Sequence, residues 1–275
     1  MPVHLSARAL LLALLCASVA VCAQNYPAKT VRVIVPYPPG GGNDIIARAV
    51  TDELTKRLAQ TFFVDNRPGA STIIGAELAM KAVPDGYTLF VSSQTTLAIV
   101  PNLKTKVPYD PTRDFDPVSL LATQPYLVVV HPSLPVRSVK ELIALAKAKP
   151  GQLNYASSGS GAAAHLSGEL FKAMAHVDLV HVPYKGAAPA LNDVLAGQDQ
   201  LMFATSLSVM PHIQSGRLRA LAVTTARRMQ ALPELPTVAE AGVAGFEATT
   251  WHGIVAPAST PHALVARINA DAVKV

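Results

Sequence analysis

Short apolar runs alternate with amphipathic helical patterns along this chain, and that alternation restricts its fold more than any other feature. Val31–Val35 is an almost continuous apolar run, as expected for a strand buried on both faces of a parallel sheet. Proline and glycine at residues 36–42 end the run. A helix is then predicted from about residue 44 to residue 60, with an apolar face formed by Ala47, Val50, Leu54 and Leu58. Strands separated by helices predict an α/β fold with right-handed crossovers.

Residues 104–119 interrupt the alternation, because they are rich in proline and aspartate, and they are predicted to connect two lobes. Further strands are predicted near residues 62–64, 87–92, 126–130, 153–156, 179–182, 201–204, 218–223 and 253–255. Further helices are predicted near residues 71–82, 138–148, 162–175, 188–196, 209–215, 237–241 and from 261 onward. We predict two βαβ lobes joined by more than one crossover. Residues 24–119 with 226–275 would form the first lobe, and residues 120–225 the second.

Residues 1–23 have the pattern of a secretory signal peptide. Arg8 supplies a positive charge, an apolar stretch follows, and Val21-Cys22-Ala23 offers small residues for cleavage after Ala23. The apolar stretch is shorter than the roughly 18–20 residues that span a membrane, so a membrane anchor is the lesser alternative. Both cysteines lie in this segment, so the mature chain would have no thiol for a disulfide, a nucleophile or a metal. We therefore expect a periplasmic protein.

The composition excludes several classes of protein. Half of the residues are hydrophobic and 15% are charged, which supports a sizeable core and argues against disorder. The net charge is +5, and the basic residues are scattered rather than gathered in a patch that would bind nucleic acid.

The sequence Pro-Pro-Gly-Gly-Gly-Asn-Asp at residues 38–44 lies between a predicted strand and a predicted helix. Its glycines let the backbone approach a ligand, and the start of a helix offers unpaired N–H groups to an anion. The loop has neither the Gly-Lys-Ser/Thr of a phosphate loop nor the Gly-x-Gly-x-x-Gly of a dinucleotide loop. The alternative is a flexible turn in which Asp44 caps the helix.

A second loop of small residues, Ala156–Gly161, lies between a strand and a helix of the second lobe. It is a second candidate anion site, and the alternative is ordinary capping of the helix that follows. Two such loops facing each other across a cleft would hold a carboxylate without an arginine. Tyr184 and Lys185 follow a strand of the same lobe and are either a polar lid over the cleft or part of a solvated loop.

The sequence gives little support for a catalytic site or a metal-binding site. A catalytic triad could be proposed from Ser158, His165 and Asp178, but nothing in their spacing supports it. His165 and Glu169 are four residues apart on a predicted helix, yet no third metal ligand accompanies them. No catalytic residue, metal or cofactor is therefore predicted.

Several sequence blocks, in order from about Tyr26 to Val275, resemble the substrate-binding proteins of tripartite tricarboxylate transporters, the Bug or TctC-like family. The blocks are Tyr26–Lys29, Ile34–Asp44, Asp65–Ala70, Pro84–Leu89, Pro108–Pro111, Tyr155–Ser157, His181–Gly186, Leu218–Thr224 and Leu232–Gly242. Any single block is weak, whereas their order and completeness are specific.

The resemblance implies a type II periplasmic-binding-protein fold, with two lobes closing on a small carboxylate at the hinge. It also implies a membrane permease that receives the loaded protein. The ligand-binding residues that this reading assigns are Pro39, Gly40, Gly41, Gly42 and Asp44 in the first loop, Ser92 and Ser93 after the third strand, Ser157, Ser158, Gly159 and Gly161 in the second loop, and Tyr184 and Lys185.

The chain departs from the family pattern in two places. Residues 71–74, Ser-Thr-Ile-Ile, replace the usual glycine-rich step before Gly75, which is expected to reshape the first lobe near the cleft. The sequence also stops at Val275 in an unfinished helix, where a truncated end is the expectation.

We therefore expect an extracytoplasmic receptor, monomeric and without chemistry of its own. Its ligand is expected to be a dicarboxylate, a tricarboxylate, an amino acid or an aromatic acid. The alternatives are a ligand sensor that acts on a membrane kinase and a periplasmic hydrolase that uses Ser158.

Overall fold

A computed structural model describes residues 26–103 and 106–275. The predicted signal peptide and both cysteines lie outside the described residues. The strands are Val31–Val35 (β1), Phe62–Asn66 (β2), Thr88–Ser93 (β3), Phe115–Val130 (β4), Asn154–Ser157 (β5), Val180–Pro183 (β6), Leu201–Thr205 (β7), Arg219–Val223 (β8) and Thr249–Pro257 (β9). The helices are Gly42–Leu58 (α1), Ile73–Met80 (α2), Val100–Leu103 (α3), Val139–Ala148 (α4), Ala163–Ala175 (α5), Ala187–Leu195 (α6), Ser206–Gln214 (α7) and His262–Ala272 (α8).

The strands follow the order β2-β1-β3-β9-β4-β7-β5-β6, with β8 also paired to β4. At one end β1 runs parallel to β2 and β3, and at the other end β5 runs parallel to β6 and β7. These parallel groups confirm the predicted α/β fold. The central pairings, β3 with β9 and β4 with β9, β7 and β8, are antiparallel.

The long strand β4 links the two ends of the molecule. Residues 115–125 pair with β9, whereas residues 126–130 pair with β7 and β8. The prediction that residues 104–119 are only a connection was therefore wrong for residues 115–119. Two prolines, Pro117 and Pro125, and exposed side chains such as Leu120 hide this half of the strand from a search for apolar runs.

Each end of the molecule has apolar side chains on both faces of its sheet. On β1, Val33 packs in one cluster with Leu54 of α1, while Ile34 packs on the opposite face with Phe90. On β4 the alternation is the same, because Val128 and Leu127 belong to clusters on opposite faces. Each end of the sheet, with the two clusters that cover its faces, thus forms one lobe.

Residues 226–248 pack against the second lobe. Val238, Val243 and Phe246 are buried in the same cluster as Phe171 and Leu221. The predicted boundary, which placed these residues in the first lobe, is corrected by this packing. The helix predicted near residues 237–241 is also wrong, because this stretch forms turns and a bridge from Thr237 to Val223.

No helix in the described residues is both long and apolar enough to cross a membrane.

Candidate functional site

The two lobes meet at the loop between β1 and α1. A Cβ atom built on Gly42 would lie 2.5 Å from Oγ1 of Thr205 in the second lobe, and one on Gly41 would lie 3.5 Å from Cβ of Ala187. Two hydrogen bonds also cross the cleft, from the Ala163 N–H to Thr95 Oγ1 and from Ser71 Oγ to the Ser160 carbonyl, each 3.1 Å long. The structure is therefore a closed arrangement of the lobes.

The cleft contains two chambers. The inner chamber is small, with a cavity volume of about 50 Å³, and its wall includes Tyr37, Asn43, Ser93, Ser158, Thr205 and His252. The outer chamber is larger, about 560 Å³, and its wall includes Ser71, Thr72, Ser158, Ser160, Tyr184 and Lys185. Tyr37, Thr95 and Ser158 line both chambers, so the two spaces adjoin. The outer volume is in the range of small-molecule sites, whereas the inner chamber has room for a few water-sized groups, such as one carboxylate.

Four helices begin at the wall of the inner chamber. The wall includes Gly42 of α1, Ala164 of α5, Ala187 of α6 and Thr205, the N-cap residue of α7. Helices α5, α6 and α7 converge because each follows a strand of the parallel group β5, β6 and β7, whose carboxyl ends lie at one edge. Helix α1 follows β1 of the other parallel group, and closure of the lobes brings its start opposite those three. None of the four N-cap residues makes a side-chain capping bond. Their first N–H groups and positive dipole ends favour an anion.

The inner chamber has polar side chains but no ionised one among the residues that line it. His252 is 3% exposed, and burial lowers the pKa of its imidazole to about 4, so it is neutral at pH 7. The Asn43 amide donates a 3.1 Å hydrogen bond to Nδ1 of His252. Among the described residues, Asn43 Oδ1 and His252 Nε2 have no partner. The chamber therefore offers one acceptor and one donor without adding charge.

In the outer chamber Lys185 is the charged residue among those that line the wall. It is exposed, whereas the hydroxyl of its neighbour Tyr184 lies 2.7 Å from carboxylate oxygens of both Asp193 and Asp199. Burial, followed by these two carboxylates, raises the pKa of the Tyr184 phenol. Tyr184 therefore presents its ring rather than its hydroxyl to the chamber.

The structure brings part of the predicted site together. The predicted residues that line the two chambers are Gly41, Gly42, Ser93, Ser158, Gly159, Tyr184 and Lys185. The predicted residues outside those walls are Pro39, Gly40, Asp44, Ser92, Ser157 and Gly161. Contact of any of these residues with a ligand stays a prediction.

Asp44 lies behind the first loop. Its carboxylate accepts hydrogen bonds from the Gly40 N–H at 2.9 Å, from Arg48 Nε at 2.9 Å and from Asn66 Nδ2 at 2.8 Å. Burial acts to raise the pKa of Asp44, but the bonds from Arg48, Asn66 and Gly40 outweigh it and hold that pKa below its usual value. Asp44 is thus an ionised anchor for the loop from within the first turn of α1, whereas the N-cap residue is Gly41.

The second loop uses its own N–H groups internally. The Gly159 N–H donates to Ser157 Oγ, and the Gly161 N–H donates to Nδ1 of His165, each at 3.2 Å. Of this loop, Ser158 is the residue that lines both chambers.

No hydrogen bond joins Ser158, His165 and Asp178 in the described part of the chain. His165 instead contacts Gly161, Glu169 and the ring of His181. Among the described residues, no group of three or more histidine, cysteine, aspartate or glutamate side chains is placed to hold a metal ion.

The sequence interpretation missed the floor of the inner chamber. Of the inner-chamber residues that were missed, Asn43 lies inside the recognised Gly-Gly-Gly-Asn-Asp loop, so its place in that motif could have indicated a role in the site. Tyr37, whose hydroxyl bonds Ser93 Oγ at 2.8 Å, also directly precedes that loop. His252 reaches the site only because β9 pairs with β3, which places it opposite Ser93. No local pattern reports that pairing.

Comparison with known proteins gives a consistent result. The family described as "Tripartite tricarboxylate transporter family receptor" matches residues 46–275. Protein BugT of Bordetella pertussis is 38% identical over 250 residues, which are 90% of this chain and 77% of BugT.

Two solved structures share the fold closely. A Rhodopseudomonas palustris protein with adipate superposes with a TM-score of 0.88 at 40% identity, over 90% of this chain and 83% of that one. MatC from Rhodopseudomonas palustris, with bound malate, gives a TM-score of 0.85 at 33% identity, over 90% and 85% of the two chains.

Proposed function

Because the chain belongs to the tripartite tricarboxylate transporter receptor family, whose members are extracytoplasmic solute receptors, we propose that it binds one small carboxylate in the closed cleft. The carboxylate lies in the inner chamber, and the remainder of the ligand extends past Ser158 into the outer chamber. The protein delivers this ligand, in the periplasm, to the membrane permease of its transporter.

The observation that carries the proposal is the convergence of four uncapped helix N-termini on a chamber without ionised side chains. Each N-terminus carries roughly half a positive charge on N–H groups that lack intrahelical acceptors. The Ala163 N–H at the start of α5 already donates to Thr95 Oγ1. An anion in the chamber satisfies N–H groups at these helix starts that have no such partner, whereas a cation or a neutral apolar molecule leaves them unpaired. His252 Nε2 supplies a further donor for the anion, and Asn43 Oδ1 supplies an acceptor for a hydroxyl or amine of the ligand.

Carboxylates are favoured among small anions by the two similar structures, one with adipate and one with bound malate. Both compounds have a second carboxylate, and in this chain the outer chamber places Lys185 where such a group would extend. An exposed lysine in high dielectric contributes little affinity, so Lys185 favours an anionic end without requiring one.

We further propose that the protein carries out no reaction. Supporting this, Ser158, His165 and Asp178 form no hydrogen-bonded group in the described residues, and Ser157, which does meet a histidine, is buried. The closed cleft itself is sufficient for a receptor, because a ligand that contacts both lobes only in the closed state shifts the population towards that state.

Thermal unfolding of the purified protein tests the proposal. Adipate and malate are compared with adipamide and malamide, neutral molecules of the same length. A carboxylate at 100 times its Kd adds about 2.7 kcal/mol to the free energy of unfolding, and the diamide adds none. Isothermal titration calorimetry then gives the Kd.

Equal stabilisation by an acid and its diamide contradicts the anion site. Failure of every mono-, di- and tricarboxylate and amino acid tried, with a cooperative melt, contradicts the carboxylate class. The uptake role is tested separately, since deletion of the gene should abolish transport of the identified acid into cells. Size-exclusion chromatography with light scattering should give the mass of a monomer.

A further inference from the structure

Three aromatic rings are stacked beneath the second-lobe loop. Tyr155 of β5, His181 of β6 and His165 of α5 form this histidine stack, with ring centroids 4.9 Å apart from Tyr155 to His181 and 4.0 Å apart from His181 to His165. The planes of neighbouring rings differ by 28° and 30°. Neither histidine lines a chamber, so the ligand site does not use them directly.

Both histidines are bonded to the loop that carries Ser158. The Gly161 N–H donates to Nδ1 of His165 at 3.2 Å. Nε2 of His181 lies 2.6 Å from Ser157 Oγ, and the same hydroxyl accepts the Gly159 N–H at 3.2 Å. Gly159 and Gly161 have φ values of +133° and +80°, so this loop conformation is one that ordinary residues rarely adopt. The stack therefore holds the backbone at Gly159 and Gly161, and so fixes the positions of Ser158 and Ser160.

The bond from Gly161 requires a neutral His165. A backbone N–H is only a donor, so Nδ1 must be unprotonated to accept it. The groups that face the two imidazoles are Glu169 and Lys172 on α5, Tyr155 on β5, and each histidine for the other. Burial lowers the pKa of both rings, and Lys172 adds to this, while Glu169 opposes it; the pKa of His181 falls to about 4.

Resting on the proposed function, we propose that His165 and His181 are positioning residues, whose neutral rings hold residues 157–161 in the shape that presents Ser158 to both chambers. Protonation converts Nδ1 of His165 from an acceptor into a donor that faces the Gly161 N–H, and protonation of either ring places a positive charge beneath the loop. The loop is then released, its bond from Ser71 Oγ to the Ser160 carbonyl is lost, and carboxylate affinity falls. Acidification thus weakens binding through the second lobe, in addition to any effect of His252, which lines the inner chamber and also has a pKa of about 4.

The first experiment needs no ligand. In ¹H–¹⁵N spectra of the free protein, recorded from pH 7.5 to 4.5, the Gly159 and Gly161 amide signals should move with the midpoint of the imidazole signals of His165 or His181. In the double variant His165→Asn/His181→Gln, whose amides occupy the positions of Nδ1 and Nε2 but do not titrate, both amide signals should stay in place. Glycine signals that ignore the histidine midpoints, or that move equally in the double variant, overturn the proposal.

The second experiment measures adipate affinity, or malate affinity if malate stabilises the wild type more. His165→Phe keeps a ring in the stack but removes the acceptor, and should weaken binding about tenfold at pH 7.5. His165→Asn should bind within about threefold of the wild type there, because it keeps an acceptor for Gly161. If His165→Phe does not fold, Ser157→Ala, which removes the acceptor for Gly159, takes its place.

The pH profile separates positioning from a merely structural role. Between pH 7.5 and 4.5 the ratio of the wild-type Kd to the Kd of the double variant should rise about tenfold. Protonation of the ligand changes both Kd values equally, so it cancels in this ratio. The exposed His262→Asn serves as the control and should follow the wild type. A ratio that stays constant, or that falls because a charged ring attracts the carboxylate, overturns the proposal. If no carboxylate or amino acid binds the wild type, the proposed function fails, and the glycine titrations still decide the role of the stack.

Discussion

The carboxylate of Asp44 holds the first loop from behind, because it accepts hydrogen bonds from Gly40, Arg48 and Asn66 while its side chain is only 3% exposed. Asp44→Ala removes the charged acceptor that these three donors share, and should lower the free energy of unfolding by about 2 kcal/mol. Adipate affinity should also fall, since the Gly40 N–H no longer restrains the loop before α1. Urea unfolding and calorimetry measure the two effects.

Asp52→Ala is the matched control for that change. Asp52 lies on the same helix but is exposed, so its removal should alter both quantities very little. Loss of affinity in Asp44→Ala without loss of stability would indicate instead that Asp44 reaches the ligand itself.

His252 should make the folded state sensitive to acid. In the unfolded chain a histidine has a pKa near 6.5, whereas burial holds the pKa of His252 at about 4. Between these two values the unfolded state binds more protons, so the free energy of unfolding falls as the pH falls, by about 3 kcal/mol in all at pH 4. His252→Asn keeps an acceptor for Asn43 but does not titrate, and should lose less stability over this range.

Urea unfolding at several pH values between 7 and 4 checks the slope. The exposed His262→Asn should keep the slope of the wild type. An unchanged slope in His252→Asn would show that the ring charges easily inside the fold, and that the inner chamber is more hydrated than its burial implies.

At the scale of the elements, the sequence predicts those that bury apolar residues with a regular period. β1, α1 and the parallel strands of the second lobe were predicted within a few residues, because Val31–Val35 and similar runs are buried on both faces. The first half of β4 and the start of β9 were missed. There one face is exposed, prolines interrupt the run, and the pairing partner lies more than a hundred residues away.

The turn Ala70–Thr72 has three successive non-glycine residues with positive φ, at +48°, +54° and +81°. This is the segment where the chain departs from the glycine-rich family pattern, and Ser71 and Thr72 line the outer chamber. Left-handed backbone costs an ordinary residue roughly 1–2 kcal/mol. Ser71→Gly should therefore raise the free energy of unfolding by about 0.5 kcal/mol, after the greater entropy of glycine in the unfolded chain is deducted.

Ser71→Ala isolates the backbone contribution, because it removes the same hydroxyl while leaving a Cβ atom. We expect Ser71→Gly to be about 1 kcal/mol more stable than Ser71→Ala. If the two variants unfold at the same urea concentration, the turn imposes no strain on residue 71.

At the scale of the whole molecule, the sequence predicted which loops meet but not what lies between them. Each glycine-containing loop follows a parallel strand of its own lobe, and that rule places it at the carboxyl edge of its own group of strands, while closure brings the two edges together. The inner chamber, however, also needs Thr205 and His252, which reach it through strand order and lobe closure. No local stretch of sequence predicts the strand order or the closure of the lobes. Asn43, which lies inside the recognised loop, was therefore the inner-chamber residue that a sequence motif could have predicted.

Closure of the lobes depends on the absence of a side chain at residue 42, since a Cβ atom there would collide with Thr205. Gly42→Val should leave each lobe folded but hold the lobes apart. X-ray scattering should then show that adipate decreases the radius of gyration of the wild type, towards the about 18 Å expected of a compact chain of this length, but not that of the variant.

Affinity should follow closure. Gly42→Ala should weaken adipate binding by at least about tenfold, and Gly42→Ala/Thr205→Gly should recover most of that loss, because the second change removes the atoms with which the new Cβ collides. Glycine is tolerated at an N-cap, so α7 should keep its stability in the double variant. Rescue would show that residues 42 and 205 act through closure. Without rescue, Gly42 would act through contact with the ligand alone, and the closed arrangement would not be the state that binds.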